Sequence, residues 1–467
     1  MIGLFGTLDL ASNSLSVQEE AMEVTGQNLA NVNTTGYTRQ QLEVQAATPL
    51  QTPIGQEGTG VEATGISQAT DALLNSQIQA ENSVTGSLTA QQTALQNTET
   101  SLNEQISNTS TGTASPSGIT ADLANLFGSF QSLSTDPSNL TDRQSLVANA
   151  QQLATEFNQV SSSLGSVNTQ LNQSIQNDVT SSNQDLTQIA SLNQQIIEAQ
   201  GDGGSANDLE DEREQAIENL SNYVNVTATA QSNGGVNIGI GGVTMVSGGT
   251  ATDSLETYDA GGGQLQIQAQ NAGTHLTLSS GSIEGDITVR DGALATLQTS
   301  VNTLASQLIT QVNGIYSSGY DLNGNTGADF FTGTDASNIG VNSALANDPG
   351  AVQASGTAGA TGDNSVALKL AQLANTNIPG LSNQTFSQSW AQTVGDLGYT
   401  VSEVNQQVTN SASANQMLSN QRQSVSGVSI DQEMTNLMQY EKSYEASAQI
   451  VTSLNQMLQT IVDMDDT

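Results

Sequence analysis

Three stretches of this 467-residue chain carry side chains that could do chemistry. His275 is the only histidine, so a Ser-His-Asp triad would have to be built on it. It stands in a strand-like segment with no nucleophile elbow to accompany it, and reads as a histidine satisfied within a sheet. Asp321-Leu322-Asn323-Gly324-Asn325-Thr326-Gly327 opens like a calcium loop, with oxygen side chains at alternate positions. Thr326 displaces the glycine such a loop needs, and Thr332 stands where its bidentate Glu belongs, so an Asx/Gly turn is the better reading. Asp208, Glu210, Asp211, Glu212 and Glu214 could supply the paired carboxylates of a hydrolase. Crowded onto one short helical stretch, they read as a solvated face. The sequence holds no cysteine and no P-loop Gly-Lys-Ser/Thr. Neither a metal nor an organic cofactor is expected, nor an enzyme.

The elements that would have to position such groups are of an unusual kind. Aromatic residues make up only 3% of the chain, so a core must be built from Leu, Val, Ile and Ala. The length allows two or three domains. Acidic residues outnumber basic ones 45 to 7, for a formal net charge of -38, and the only lysines are Lys369 and Lys442. Nucleic acid and anionic membrane surfaces are therefore excluded as partners, because both demand clustered cations. The charge reads as a self-repelling solvated surface or as adaptation to salt. Met1-Ile2-Gly3-Leu4-Phe5 lacks the basic and apolar regions of a cleavable signal, and no segment approaches the roughly 20 apolar residues of a membrane span.

Periodicity defines the frame. Met1, Leu8, Leu15, Met22 and Leu29 step by seven, and so do Ile430, Leu437, Tyr444, Val451 and Leu458. Met434, Ala448 and Val462 hold the complementary offset. This is coiled-coil spacing, and matching ladders at both ends imply that the termini pair, directly or through neighbouring subunits. Helices are expected at 71–104, 141–200, 292–317, 364–375 and 386–424. The second carries Leu146, Ala150, Leu153, Phe157, Val160, Leu164, Val167 and Leu171 in steps of four and three. If continuous it is roughly 90 Å long, a rod that few compact enzymes need. Between Tyr223 and Gly285 the pattern changes to period two with Gly-rich turns, as in Val236-Asn237-Ile238-Gly239-Ile240. The fold class is mainly α with an inserted β-rich region. Its expected parts are terminal coiled-coil segments at 1–60 and 428–467, disordered in the monomer; a long-helix bundle rod domain at 61–225, 286–318 and 365–427; and an outer β domain at 226–285 and 319–364.

One motif is more specific. Asn28-Leu29-Ala30-Asn31-Val32-Asn33-Thr34-Thr35-Gly36-Tyr37-Thr38-Arg39 directly follows the first ladder and resembles the N-terminal signature of flagellar rod, hook and hook-associated axial proteins. Its asparagines suit a helix end, Gly36 a positive-φ turn, and Tyr37 the anchor of an extended segment. The stretch Ser426-Gly427-Val428-Ser429-Ile430-Asp431-Gln432-Glu433, continuing to Ala448, is similar to the C-terminal signature of the same family. Gln432 and Glu441 stand where an acid and a Gln are expected. Asn207 to Arg213, Gly285 to Asp291 and Gly362-Asp363-Asn364 resemble segments of the hook-associated branch. All five arginines, Arg39, Arg143, Arg213, Arg290 and Arg422, fall in matching segments, which suggests that they make specific pairs.

The resemblance implies a structural subunit exported through the flagellar secretion channel without a cleaved signal peptide. It implies an extracellular place in the flagellum, in a ring of subunits at the junction of hook and filament. The partners it implies are further copies of the chain, the hook protein, a second junction protein (hook-associated protein 3), and a cytoplasmic export chaperone at the C-terminal segment. A hook or rod subunit and an extracellular glycan-acting enzyme are the alternatives.

Overall fold

The asparagine that follows the Asp136-Pro137-Ser138 turn starts the helix on which everything else is hung. Asn139 accepts from the amides of Thr141 and Asp142 and so caps a helix of 62 residues. At 1.5 Å per residue this is a rod of about 93 Å. The computed structural model describes residues 3–52, 55–104 and 118–465, so Met1 lies outside the described residues.

The chain begins with α1 (Leu4–Ala30) and four strands, β1 (Gln40–Ala46), β2 (Leu50–Thr52), β3 (Gly55–Glu57) and β4 (Val61–Gln68). Helices α2 (Ala72–Thr100), α3 (Gly118–Thr135), α4 (Leu140–Gly201) and α5 (Asn207–Tyr223) follow. Strands β5 (Val226–Ala230), β6 (Val236–Ile240), β7 (Val243–Ser247) and β8 (Thr250–Ala251) form one antiparallel sheet. Strands β9 (Leu255–Asp259), β10 (Leu265–Ala269) and β11 (Thr274–His275) form another. Helix α6 (Ser282–Val289) runs through a π-helical turn at Arg290–Leu294 into α7 (Ala295–Tyr316). After β12 (Phe331–Thr332), β13 (Gly340–Val341) and α8 (Ser343–Asn347) come α9 (Ser365–Gln372), α10 (Phe386–Ser426) and α11 (Ile430–Asp465).

The architecture is mainly helical with an inserted β-rich region. Two apolar cores share α4. The first half of α4, from Leu146 to Leu171, packs with α3, α7, α9 and the start of α10 around Phe130, Phe157, Tyr316, Phe330 and Trp390. The second half, from Ile175 to Ala190, packs with α5, α6 and the two sheets around Leu220, Ile238, Met245 and Ile267. Residues 319–364 contribute Phe330, Phe331, Ile339 and Val352 to the first core, whereas 226–285 belong to the second. They are therefore not one outer β domain. The short 319–364 strands are pinned to the far half of the rod because their aromatic residues find their partners there. The boundary expected at residue 60 also moves, because β1 pairs with β4 from Gln40↔Gln68 to Ala46↔Val61.

In so aromatic-poor a chain, helix asparagines take over part of the work of holding strands. Asn183 pairs with both the N–H and the C=O of Leu255, each at 2.8 Å. Asn193 does the same to Val236 at 2.7 and 3.0 Å, and Asn313 to Phe331 at 2.8 and 2.9 Å. A side-chain amide has the donor and acceptor of a peptide unit, so it continues a ladder that the strand edge would otherwise leave open. Asn172, Asn183 and Asn193 are spaced by close to three helical turns along α4 and so share the face that carries the sheets.

Candidate functional site

Both signature motifs and the acidic α5 meet in one place. Helix α1 runs antiparallel to α11, with Ser14 Oγ 3.2 Å from Ser447 Oγ and Asn28 donating to Glu433 at 3.2 Å. At the end of this pair Asn28, 1% exposed, uses its whole side chain. Its Nδ2 donates to Gln40 O at 2.8 Å and to Glu433 Oε2, and its Oδ1 accepts from Gln40 N at 2.9 Å and from the Tyr37 hydroxyl at 3.0 Å. Gly36 makes this return possible. It sits at φ 83°, a conformation costly for any residue with a Cβ, and turns the chain from the helix end into β1.

The returning strand is received by α5. Thr38 N donates to Asp211 at 2.9 Å, Gln40 Nε2 to Asp208 at 2.8 Å and Gln68 Nε2 to Asp211 at 3.0 Å, while Gln79 from α2 donates to Glu214 at 2.8 Å. The reading of these carboxylates as a solvated face is thus corrected. Asp208 and Glu212 are exposed, but Glu210, Asp211 and Glu214 are half-buried, and Asp208, Asp211 and Glu214 cap amides contributed by the N-terminal segment and α2. Burial raises Asp211 above the usual carboxylate range, against the hydrogen bonds from Thr38 and Gln68. Burial likewise raises Glu214, and it raises Glu218 despite the Arg422 guanidinium beside it. Burial, with Asp208, Asp211 and Glu433 adding to it, pushes the Tyr37 hydroxyl up to about 12. It stays a neutral donor to Asn28 across the physiological range.

The C-terminal motif closes the hub. Arg39 N donates to Ser426 O at 2.9 Å and its guanidinium to Gln432 at 3.3 Å. Gly427 leaves room for Gln423, whose carbonyl oxygen a Cβ would meet at 2.2 Å. Val428 is half-buried and Glu433, 3% exposed, is buried against Asn28. Arg422 pairs with Glu218. The other arginines also bridge distant segments. Arg143 binds Pro137 O, Gly350 O and Val352 O, Arg213 binds Asn193 and Gly234 O, and Arg290 binds Asn172, Leu265 O and Asp291.

The heptad ladders are placed differently from their spacing. The buried face of α1 is Ala11, Val17, Ala21, Val24, Thr25 and Asn28, and Leu8, Leu15, Met22 and Leu29 are half-buried beside it. Helix α1 lies against both α11 and the β1–β4 hairpin, so small and polar residues fill its close approach and the large apolar ones are moved to the flanks. On α11, Leu437, Ala448, Val451 and Leu458 are half-buried along the seam with Leu454, but Ile430 and Tyr444 face solvent. Asn31 caps its own helix end through Gln27 O, whereas Ala30, Asn33, Thr35 and Gly36 are exposed. Residues 31–38 form one wall of a polar groove of about 470 Å³, with Arg213, Glu214, Glu218 and Arg422 on the other.

The hub's carboxylates accept from amide groups and from the Arg422 guanidinium. Elsewhere, Asp321 accepts from the amides of Asn323 and Asn325 and from Asn325 Nδ2, which is an Asx turn. His275 stacks on Tyr258 with ring centroids 4.3 Å apart. Gln40, Gln68 and Gln79 went unnoticed in the sequence. The only signal for them was the alternation that places Gln40 and Gln68 on facing strands.

A family model described as the helical domain of the flagellar hook-associated protein FlgK matches residues 104–331. A flagella basal body rod protein model matches residues 8–38, and a flagellar basal body rod FlgEFG protein C-terminal model matches 419–464, so the two ends that meet at the hub are each matched. The chain is 28% identical over 510 residues to flagellar hook-associated protein 1 of Bacillus subtilis, covering 99% of each. It is 25% identical over 562 residues to the protein of that name from Salmonella typhimurium, covering 97% of this chain and 99% of the relative. The solved flagellar hook junction protein FlgK from Burkholderia pseudomallei shares the fold, with a TM-score of 0.64 at 16% identity, over 75% of this chain and 100% of that one.

Proposed function

The chain belongs to the flagellar hook-associated protein 1 family and is a structural subunit of the bacterial flagellum, and we propose that it builds the hook–filament junction through its paired ends. The observation that carries this reading is the outer face of α11. Ile430, Met434 and Met438 are exposed along one flank of it and Ile450, Met457 and Ile461 along the other, large apolar side chains left uncovered although apolar residues make up only 35% of the chain. Uncovered apolar side chains on both flanks of a terminal helix pair suit burial against neighbouring subunits. Further copies of the chain form the ring, with α1 and α11 lining its inside and the β-rich region projecting outward. The hook protein lies on one side and a second junction protein, hook-associated protein 3, on the other. Asn33, Thr35 and Gly36, exposed at the groove mouth, are assembly contacts in this scheme. Before assembly a cytoplasmic chaperone covers the C-terminal segment, and export runs through the flagellar secretion channel to the cell exterior without a cleaved signal.

The role is non-enzymatic. Activity of the purified protein on glycans or peptidoglycan would contradict that. Among the described residues no helix is long and apolar enough to cross a membrane. Immunogold labelling of intact flagella tests the location. Label confined to one band between hook and filament is expected, and label along the whole hook or only in the cytoplasm would refute the junction.

A further inference from the structure

Helices α4 and α6 carry the same five-residue pattern, Ser174-Ile175-Gln176-Asn177-Asp178 and Ser282-Ile283-Glu284-Gly285-Asp286. In each the Ser and Asp are four residues apart and so share a helix face, with a core isoleucine, 0% exposed, beside them. The two copies face each other in antiparallel register. Ser282 Oγ donates to Asp178, the Ser174 hydroxyl stands beside Asp286, and one turn further on Arg290 donates to Asn172 at 2.8 Å. Each serine thus serves the aspartate of the opposite helix.

The reciprocal clasp leaves a charge unanswered. Asp286 is 4% exposed, and its Oδ2 is buried with no hydrogen-bond partner. The nearby guanidinium does not supply one. Arg290 spends its Nε and Nη2 on Asp291 and its Nη1 on Asn172 and Leu265 O. Two carboxylates therefore stand together in the second core, one with a bare oxygen, in a setting where an uncompensated carboxylate is strongly disfavoured. All the side-chain donor atoms of the clasp are oxygens, two carboxylates and two hydroxyls whose lone pairs remain free. This is the ligand chemistry of hard cations, and two negative charges match a divalent one. Burial, with Asp178 adding to it, also raises Asp286 above the ordinary range, against the pull of Ser174 and of the Arg290 guanidinium.

We propose that the twin Ser-Ile-X-X-Asp clasp is a cation site, in which Asp178 and Asp286 hold a calcium ion between α4 and α6 and lock the β-rich region onto the rod. Bound there, the ion would complete the coordination of Asp286 Oδ2 and join the helix that carries both cores to the short helix leading into the π-helical turn.

The experiment must separate this site from the general attraction of a chain of charge -38 for any cation. Melting of the full-length protein would be followed at pH 8 in calcium chloride and in choline chloride of equal ionic strength. The wild type is expected to melt several degrees higher in calcium, and Asp286→Asn, which keeps the shape and removes the bare anionic oxygen, to lose most of that difference. Equilibrium dialysis with radioactive calcium should show one tight site in the wild type, weakened at least tenfold in Asp178→Asn, which gives a second reading should Asp286→Asn fold poorly. Equal calcium responses in wild type and Asp286→Asn would mean surface screening only and would overturn the site. Stabilisation by acid with no dependence on calcium would mean that a proton, not a metal, is the occupant, and would overturn it equally.

Discussion

Asn28 pairs with the main chain of Gln40 as a neighbouring strand would, giving one hydrogen bond to its carbonyl at 2.8 Å and taking one from its amide at 2.9 Å. Through this pair the end of α1 fixes the start of β1, and through Gln40 Nε2 and Asp208 it fixes both to α5. The same amide reaches Glu433, so a single buried side chain ties together the N-terminal motif, the C-terminal motif and the rod.

Asn28→Asp should therefore be far worse than its size suggests. A carboxylate cannot donate to Gln40 O, and it would stand against the buried Glu433. The expected loss is about 3 kcal/mol or more, against about 1–3 kcal/mol for Asn28→Ala, which leaves groups unpaired but adds no charge. Urea unfolding of the two variants measures the difference. Asn28→Asp as stable as Asn28→Ala would show that the hub does not depend on this donor.

The sequence made the long helices legible because apolar steps of four and three over α4 and α10 leave little alternative, and the period-two stretches gave β6 and β10. It failed wherever the contact was polar. Nothing in the spacing of Asp208, Asp211 and Glu214 distinguishes a solvated face from a set of caps for a strand 170 residues away. The ladder of Leu8, Leu15, Met22 and Leu29 was read on side-chain size, whereas the close approach of α1 to its neighbours selects Ala11, Ser14 and Ala21. The strand-binding asparagines have no sequence signal at all, since only the fold decides which of many Asn residues meets an open strand edge. The two β stretches looked alike in composition, and only their aromatic content, Phe330 and Phe331 in one of them, foreshadowed that they join different cores.

Salt should stabilise the molecule. With 45 acidic and 7 basic residues, self-repulsion opposes the folded chain. The Debye length shrinks from about 10 Å at 0.1 M to about 3 Å at 1 M, which removes most of that repulsion. The inward arginine contacts, largely to carbonyl and amide oxygens, are screened much less. A higher melting temperature in molar KCl than in dilute buffer is expected by circular dichroism, and a transition unmoved by salt would contradict the account.

Acidity should also help within a defined window. Burial pushes Asp185 and Asp286 up to about 6, so the folded chain binds these protons more readily than the unfolded one. Their contribution is fully present below the ordinary carboxylate value and is lost as pH rises through about 6. For Asp286 the loss is up to about 3 kcal/mol. In calcium-free buffer the wild type should therefore lose stability relative to Asp286→Asn between about pH 4 and 6. A constant difference between the two across that window would show that Asp286 is not titrating there.

Leu437 and Val451 lie on the part of the C-terminal ladder that the α1–α11 seam uses. Leu437→Asp would set a charge beside Glu433 in that seam, at a cost of several kcal/mol once neighbouring subunits exclude water. The soluble subunit should still be made and exported, but the junction should fail and filament subunits should be shed into the medium. Normal filaments on a strain carrying Leu437→Asp would refute the seam.

The last expectation concerns when the two ends become ordered. The seam between α1 and α11 holds Ala11, Ser14, Ala21, Thr25 and Asn28 on one side and Glu433, Leu437, Ser447, Ala448, Val451, Leu454 and Leu458 on the other, and of the α11 apolar side chains only Leu454 is fully buried, so the pair leaves much of its apolar surface half-covered by itself. Its large side chains, Met434, Met438, Ile450, Met457 and Ile461 among them, face outward. Ordering costs about 1–2 kcal/mol per residue in backbone entropy, and amphipathic helices without packing partners are marginal in water. In the proposed ring neighbouring copies would bury these uncovered side chains, and only there would the balance favour folding. In the free subunit, amides of Leu8–Leu29 and Ile430–Leu458 should therefore exchange fast, and limited proteolysis should remove roughly the first 60 and last 40 residues, leaving the two cores on α4 intact. Protection near Asn28, Tyr37 and Glu433 should outlast that of the distal turns, because the hub's hydrogen bonds act there. Strong protection along the full length of both helices in a verified monomer would overturn this and show that the pair is complete before assembly.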